Sequence, residues 1–337
     1  MSAPPPISVL LPVRDGGTVL AEAIESLEAQ TLADFEVIAV DDGSTDYSSN
    51  LLQEWAIRDA RVNVLTQEPM GIIAALERAR LVARGAYLAR MDADDISEPE
   101  RFARQWDLME SDERLVLCGC GVEYFPPESV RDGARRYQAW LNASNTHDEI
   151  AREIFVECPL AHPSFFMRAE AVSDVGGYQD HGWAEDYDLV LRLWRSGGSL
   201  GKVPEALLRW REGDQRLSRT NERYSSEAFR RCKVHHLRET FLGARQGVVI
   251  WGAGPVGKAF GRALGKEGVQ ISAFAEVDPR KIGQNIHGAP VLNTASALGL
   301  RGVFHIAAVG QPGARETLRS LLSGADLHEL QDFACVA

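Results

Sequence analysis

Ala86-Tyr87-Leu88-Ala89-Arg90-Met91-Asp92-Ala93-Asp94-Asp95 is an apolar, strand-like run that ends in three carboxylates within four residues. Like charges a few ångströms apart raise one another's pKa unless a cation sits between them. Hard divalent ions take oxygen ligands of this kind, which makes Mg²⁺ or Mn²⁺ carrying a diphosphate the ion to expect. Just downstream, Ser97 and Glu100 have the spacing of a capping box with Pro99 in the first turn, which predicts a helix starting there. The acidic run then lies in a strand-to-helix loop at the carboxyl end of a strand, the edge at which open α/β sheets bind ligands.

Working outward, the amino-terminal half alternates short apolar runs with helical periodicity, the signature of βα units and a largely parallel sheet. Ile7 to Val13 reads as a strand, followed by Arg14-Asp15-Gly16-Gly17 and a helix with Leu20, Ala23, Ile24 and Leu27 on one face. Phe35 to Val40 is a second strand. It runs into the turn-rich loop Asp41-Asp42-Gly43-Ser44-Thr45-Asp46, whose last residue is placed to cap the next helix. Val62 to Leu65 is a third strand and Gly71 to Ala83 a third helix. Three strand ends thereby converge with Asp15, Asp42 and Asp94 nearby.

The stretch from Ile150 to Arg219 is less regular. Cys158-Pro159-Leu160-Ala161-His162-Pro163-Ser164 leads into the apolar Phe165 to Met167. Trp183-Ala184-Glu185-Asp186-Tyr187-Asp188 then opens a helix with Leu189, Leu193 and Trp194 on its apolar side. Acids in a first helical turn answer the helix dipole, but one carboxylate suffices for that, and here three stand beside aromatic rings suited to stacking on a sugar. A His before Pro at the start of a buried run, like His162, is more often structural than catalytic.

Glu222 to Leu242 reads as a polar connecting helix, and a second α/β unit begins near Gln246. The buried-strand pattern Gly247-Val248-Val249-Ile250 runs into Trp251-Gly252-Ala253-Gly254-Pro255-Val256-Gly257-Lys258, a G-x-G-x-x-G-like loop opening a helix. Such a loop lets phosphate approach the helix amino terminus through Gly252, Gly254 and Gly257. The next strand, Ile271 to Ala275, ends at Glu276 and Asp278, near the ~20-residue offset of a ribose-binding acid, and Asp278 is taken for that role. The plainer reading is a small Rossmann-like domain that uses its glycines for tight packing.

A chain of 337 residues exceeds one ordinary domain. The expected division is a first domain at 1–220, a helical linker at 221–245 and a Rossmann-like domain at 246–337. A net charge of -12 argues against a general nucleic-acid binder and against docking on an anionic membrane by overall charge, and leaves a local basic patch at Arg209 to Arg238. Five scattered cysteines lack zinc-ligand spacing and read as reduced thiols of a cytoplasmic protein. Met1 to Pro6 has neither the basic nor the apolar region of a signal peptide, and no later run has the ~20 apolar residues of a membrane span.

Taken together, Ile7 to Val13, the Val40 to Asp46 loop, Met91-Asp92-Ala93-Asp94-Asp95, His162-Pro163-Ser164 and Ala184-Glu185-Asp186-Tyr187-Asp188 resemble, in order and spacing, the motifs of family 2 glycosyltransferases. The resemblance covers Ile7 to Ser218. It implies a GT-A nucleotide-diphospho-sugar transferase fold and inverting transfer of a sugar from a nucleotide-sugar, above all a UDP-sugar, to an acceptor hydroxyl. Glycan, lipid-linked and protein acceptors all fit that chemistry, as does a place in polysaccharide or glycoconjugate biosynthesis.

Carried over to this sequence, the resemblance makes Asp42 the acceptor of a nucleobase hydrogen bond, with Pro12, Val13, Asp15 and Gly71 lining the donor pocket. Asp92, Ala93 and Asp94 match the DxD motif, with Asp94 on the metal and Asp92 orienting the ribose or a metal-bound water. Asp186 becomes the general base, with Glu185 beside it, and Trp183 and His162 face the acceptor. Many relatives carry an Asn where this chain has Arg14-Asp15-Gly16, and another near Glu77. Arg209 to Asp214 holds no counterpart of a further metal-binding His, and Gln215 to Arg219 departs from the Q-x-x-R-W motif of processive synthases. The carboxyl-terminal unit resembles small nucleotide- or CoA-binding domains found beside sugar-modifying enzymes, which implies a nucleotide ligand there. A second copy of the chain is a further candidate partner. Two other classes compete: an NAD(P)-dependent oxidoreductase centred on the Gly252 to Gly257 loop, and a non-catalytic nucleotide-sugar-binding module.

Overall fold

The computed structural model describes residues 4–213, 216–243 and 245–337. Asp214 and Gln215, which belong to the stretches read above for a metal ligand and a processivity motif, lie outside them, as do Met1 to Ala3 and Ala244. Chain contacts divide the protein into two compact units. The first comprises Met1–Ala151, Pro159–His181 and Glu185–Thr220; the second comprises Arg152–Cys158, Gly182–Ala184 and Asn221–Ala337. Among the described residues no helix is long and apolar enough to cross a membrane.

The first unit opens with β1 (Ile7–Val13), α1 (Leu20–Glu28), β2 (Phe35–Asp42), α2 (Ser48–Arg58), β3 (Val62–Gln67), α3 (Ile72–Val82) and β4 (Tyr87–Arg90). It continues with β5 (Ile96–Ser97), α4 (Arg101–Ser111), β6 (Leu115–Phe125), α5 (Asp132–Ala143), α6 (His147–Glu153) and β7 (Phe166–Arg168). Last come α7 (Ala169–Asp174), α8 (Glu185–Arg195), β8 (Ser199–Arg211) and α9 (Leu217–Thr220). The sheet order is β3-β2-β1-β4-β7-β6-β8-β5. β1 to β4 run parallel, and every residue of β2 is buried, because helices cover both faces of a parallel sheet.

Two pairings place loops that are distant in sequence at one edge. Leu10 lies beside Arg90 in the parallel β1–β4 ladder, and Val13 beside Asp41, so the loops after β1, β2 and β4 share the carboxyl end of the sheet. β7 is antiparallel to β4, with Phe166 opposite Ala89 and the Arg90 N–H donating to the Phe165 carbonyl at 2.8 Å. The turn His162–Ser164 that feeds β7 therefore lies at the same edge.

The expected helix start at Ser97 is displaced. Ser97 belongs to β5, paired with Leu208 of β8, and its hydroxyl accepts from the Gln30 side chain; α4 begins at Arg101. Tertiary pairing overrides the local capping pattern, and the consequence is that the acidic loop is tied at its far end to β8.

The second unit contains α10 (Ser226–Leu237), β9 (Gly247–Trp251), α11 (Pro255–Lys266), β10 (Ile271–Ala275), β11 (Asn285–Ile286) and β12 (Ala289–Leu292). α12 (Thr294–Leu298), β13 (Val303–Ala307), α13 (Ala314–Ser323) and β14 (Phe333–Cys335) complete it. Its sheet, β11-β12-β10-β9-β13-β14, is parallel except for β11. The segment expected as a polar connector is packed within this unit: Cys232, Lys233, Val234, His236 and Leu237 of α10 are buried. The buried Lys233 ammonium donates to the Val156 carbonyl at 2.6 Å and the Val336 carbonyl at 3.2 Å. Arg319 joins Glu153 (2.8 Å), Glu329 (2.9 Å) and the Arg152 carbonyl (2.7 Å). These bonds fasten Arg152–Cys158 into the second unit.

Candidate functional site

The loops after β1 and β2 hold one another through side-chain oxygens. The Asp15 carboxylate accepts from the Thr45 amide at 2.7 Å and its hydroxyl at 3.1 Å, and the Asp15 amide donates to Ser44 Oγ. Asp46 accepts from the Gly17 amide at 2.9 Å and, in the first turn of α2, from the Ser48 amide at 2.9 Å. Asp15 thus shapes the loop. Pro12 and Val13 stand beside Val40 and Asp41 in the ladder, Val13 fully packed into the core.

Asp42 is 3% exposed. Its Oδ1 accepts from the Gln67 side chain (2.8 Å) and the Met70 amide (2.7 Å), and its Oδ2 accepts from the Gly71 amide (2.8 Å). A carboxylate has roughly four acceptor positions, so Oδ2 retains one. Gly71 sits at φ 89°, where a side chain would be strained, and that conformation aims its amide at Asp42.

In the acidic loop, one oxygen each of Asp92, Asp94 and Asp95 lie within 4.8 Å of one another. Burial, then the charge of Asp92, raises Asp94 to about 6 against the pull of Arg216 and Arg90. Burial and the charges of Asp92 and Asp94 hold Asp95 well above the usual carboxylate range. Asp95 Oδ1 accepts from the Arg211 amide at 2.7 Å, while its buried Oδ2 has no hydrogen-bond partner. Three oxygen donors and an orphaned buried oxygen fit a hard divalent cation. Arg90, 1% exposed, pairs with Asp92; burial works against its charge, but Asp92, Tyr178 and Asp95 outweigh it and raise its pKa. Arg211 Nε donates to the Asp94 carbonyl at 2.6 Å.

Glu185 and Asp186 begin α8. Asp186 Oδ1 accepts from the Tyr187 amide at 2.7 Å. Glu185 is buried, and its Oε1 lies 3.8 Å from His162 Nδ1, while His162 Nε2 is 3.0 Å from the Tyr178 hydroxyl. Burial, aided by Arg90, pushes the His162 pKa well below its ordinary value, so the ring is neutral. His162 is 7% exposed and lies between the Tyr178 hydroxyl and the Glu185 carboxylate. Burial raises the Tyr178 hydroxyl, Arg90 opposes, and Glu185, Asp186 and Glu77 push it further up. One buried hydroxyl therefore feels both Arg90, which holds the acidic loop, and the acids that open α8.

Trp183 falls in the second unit, its ring 5.4 Å from that of His235 and under the Arg231 guanidinium. Sequence reading missed Arg90, Tyr178, Arg211 and Arg216. Arg90 stood inside the quoted run, and its charge in an otherwise apolar strand was the available signal; the others depend on pairings between distant segments.

At the second sheet, the backbone explains two of the three glycines of the loop. A Cβ on Gly257 would lie 1.8 Å from the Gly252 carbonyl oxygen, and one on Gly252, at φ 107°, would lie 2.7 Å from Val309; one on Gly254 meets nothing within 4 Å. The acid that touches this loop is Glu276, which accepts from the Ala253 amide at 3.2 Å and from Lys281 at 2.8 Å. Asp278, expected there, is turned to Arg280 instead at 2.9 Å, because the chain bends between them.

Residues 8–176 match the model of the family described as glycosyl transferase family 2, and residues 244–323 match that of the CoA binding domain. The chain is 31% identical to the amylovoran biosynthesis glycosyltransferase AmsE of Erwinia amylovora over 59% of its length and 73% of that protein. It is 30% identical to the putative glycosyltransferase EpsE of Bacillus subtilis over 67% of its length and 80% of that protein. Among solved structures, S. aureus TarS 1–349 in complex with UDP-GlcNAc aligns with a TM-score of 0.56 at 15% identity, over 69% of this chain and 66% of that one. The mannosyltransferase PcManGT of Pyrobaculum calidifontis, in complex with GDP-Man and Mn²⁺, aligns with a TM-score of 0.53 at 16% identity, over 70% of this chain and 63% of that one. The chain thus spans just under two thirds of the length of these solved structures.

Proposed function

The chain belongs to glycosyl transferase family 2, and from that premise we propose that it moves one sugar from a nucleoside-diphosphate sugar, UDP-linked in the first instance, to an acceptor hydroxyl with inversion. The observation that carries this reading is the shared sheet edge. The β4–β7 pairing brings the His162 turn beside Arg90 and the acidic loop, and His162 in turn lies 3.8 Å from Glu185, the neighbour of Asp186.

In this reading Asp42 offers its remaining acceptor position to an imide N–H such as that of uracil, with the Gly71 and Met70 amides fixing the carboxylate. Asp94, with Asp95 and Asp92, would hold a divalent cation, Mn²⁺ or Mg²⁺. When bound, that ion supplies charge neutralisation for the departing diphosphate. Arg90 fixes the Asp92 side of the loop and Arg211 the Asp94 and Asp95 side. Asp186 takes the proton of the acceptor hydroxyl, a weak nucleophile until a base within hydrogen-bond reach removes it. Names of the matched structures support the donor chemistry, since TarS is seen with UDP-GlcNAc and PcManGT with GDP-Man and Mn²⁺. In the second unit, the open space at Gly254 and the acid Glu276 support a nucleotide-type ligand at the loop.

The test separates base from binding. Asp186→Asn lowers transfer by roughly 10²–10⁴-fold, the usual worth of a general base, and leaves donor affinity within about twofold. Equal loss of both removes the assignment of Asp186. A product of retained anomeric configuration removes the inverting displacement, and failure to bind or cleave any UDP-, GDP- or dTDP-sugar removes the reading as a whole.

A further inference from the structure

Of the basic patch at Arg209 to Arg238, the arginines that open α9 are held by Glu212, but those of α10 have a different setting. α10 packs on α11, and between them lies a cavity of about 310 Å³, within the second unit. Its walls carry Arg230 and Arg231 from α10 and Arg262 and Lys266 from α11, with Val234 in the floor. Two acids, Glu227 and Glu267, line it as well. Glu267 is already paired with Arg238 at 2.9 Å.

Four cations against two acids, one of them spent elsewhere, is an uneven balance in a chain whose net charge is -12. Among the described residues Arg230, Arg262 and Lys266 make no ion pair. Arg262 and Lys266 stand one turn apart on α11, where like charges repel and weaken the helix unless something negative lies between them. The Arg231 guanidinium lies 5.6 Å over the Trp183 ring, which holds it at the groove. From this cavity and its charge we infer that the α10–α11 groove is an anion site that takes a diphosphate group. Guanidinium forks suit phosphate oxygens, and two facing rows of cations suit a ligand with charge at both phosphates rather than one. The groove is lined by helix side chains, distinct from the Gly252 to Gly257 loop, and the inference does not depend on the transfer reaction proposed above.

A diphosphate can arrive free or as a lipid headgroup, and the test distinguishes them. The protein is titrated with inorganic pyrophosphate in EDTA, and separately sedimented with phosphatidylcholine vesicles with or without geranylgeranyl diphosphate. The expected result is pyrophosphate binding that weakens as NaCl is raised and weakens at least tenfold in Arg262→Glu/Lys266→Glu. Arg262→Gln/Lys266→Gln, which removes charge without reversing it, falls between. Retention only on vesicles carrying geranylgeranyl diphosphate, lost in the reversed variant, identifies a lipid headgroup as the source; pyrophosphate binding without retention identifies a soluble one. Circular dichroism confirms that each variant is folded. No pyrophosphate binding and no vesicle retention by the unaltered chain overturns the inference, and so does equal binding by the folded charge-reversed variant.

Discussion

At the carboxyl edge of the first sheet, burial and mutual repulsion raise Asp94 to about 6 and keep Asp95 well above the usual range. The same edge of the second sheet is handled otherwise. Burial would raise Glu276 too, but the hydrogen bond from Lys281 and the Val277 and Asp278 amides outweigh it and leave it below its ordinary value, and Arg280 draws Asp278 down to about 2. One edge gathers acids whose charge the protein leaves partly unanswered, and the other answers its acids internally and opens backbone to a ligand at Gly254. Unanswered charge is affordable only where something arrives to meet it, which is why the first edge reads as a cation and diphosphate site.

That contrast can be broken most forcefully at Asp94. Asp94→Asn is expected to lower transfer about a thousandfold or more, on the scale of a lost electrostatic group in a catalytic site, and to abolish the thermal shift given by Mn²⁺. Unchanged Mn²⁺ response would move the ion elsewhere.

Glycines sharpen the other side. Gly257→Ala places a methyl 1.8 Å from the Gly252 carbonyl oxygen, and overpacking of that kind costs about 3 kcal/mol, read as a fall in the denaturation midpoint. Gly254→Ala meets no atom and is expected to change stability by less than about 0.5 kcal/mol while weakening any ligand of the loop. Equal effects at the two positions would erase the distinction between packing glycine and ligand glycine.

A pH series carries a smaller effect of opposite sign at the two edges. Asp94, raised in the folded chain, favours folding below its ordinary value of 3.8, and that contribution is lost as pH rises through about 6. Asp278 and Glu276, lowered, stabilise above their ordinary values and lose that contribution as pH falls through their folded ones. Because a metal must displace the protons on Asp94 and Asp95, Mn²⁺ affinity is expected to fall, by about tenfold per unit or more, as pH is lowered through about 6. Isothermal titration at pH 5, 6 and 7 reads this directly, and a flat profile would contradict it.

The parallel strands were legible because β1 and β2 bury both faces and read as largely apolar runs, interrupted only by Ser8 and Glu36, that end in polar loops. Ile7 to Val13 was read to the residue, and the acidic loop fell at the strand end where it was expected. What stayed hidden depended on partners far along the chain. Ser97 reads locally as a helix cap, yet its backbone is claimed by β8; the long β6 and β8 carry no alternation that marks them, since most of β6 is buried on both faces. Arg90, Tyr178 and His162 meet only because β7 runs antiparallel beside β4, a pairing no local pattern announces. Likewise, the bonds of Lys233 and Arg319 that bind Arg152–Cys158 to the second unit cross the chain, so contiguous domain limits could not anticipate them.

The most direct test of the central claim is anomalous diffraction from crystals of the protein holding Mn²⁺ and a UDP-sugar. The account predicts a Mn²⁺ peak at roughly 2.0–2.6 Å from Asp94 oxygen, with the anomeric carbon facing the Asp186 carboxylate. A peak remote from Asp94, or a sugar turned away from Asp186, contradicts it.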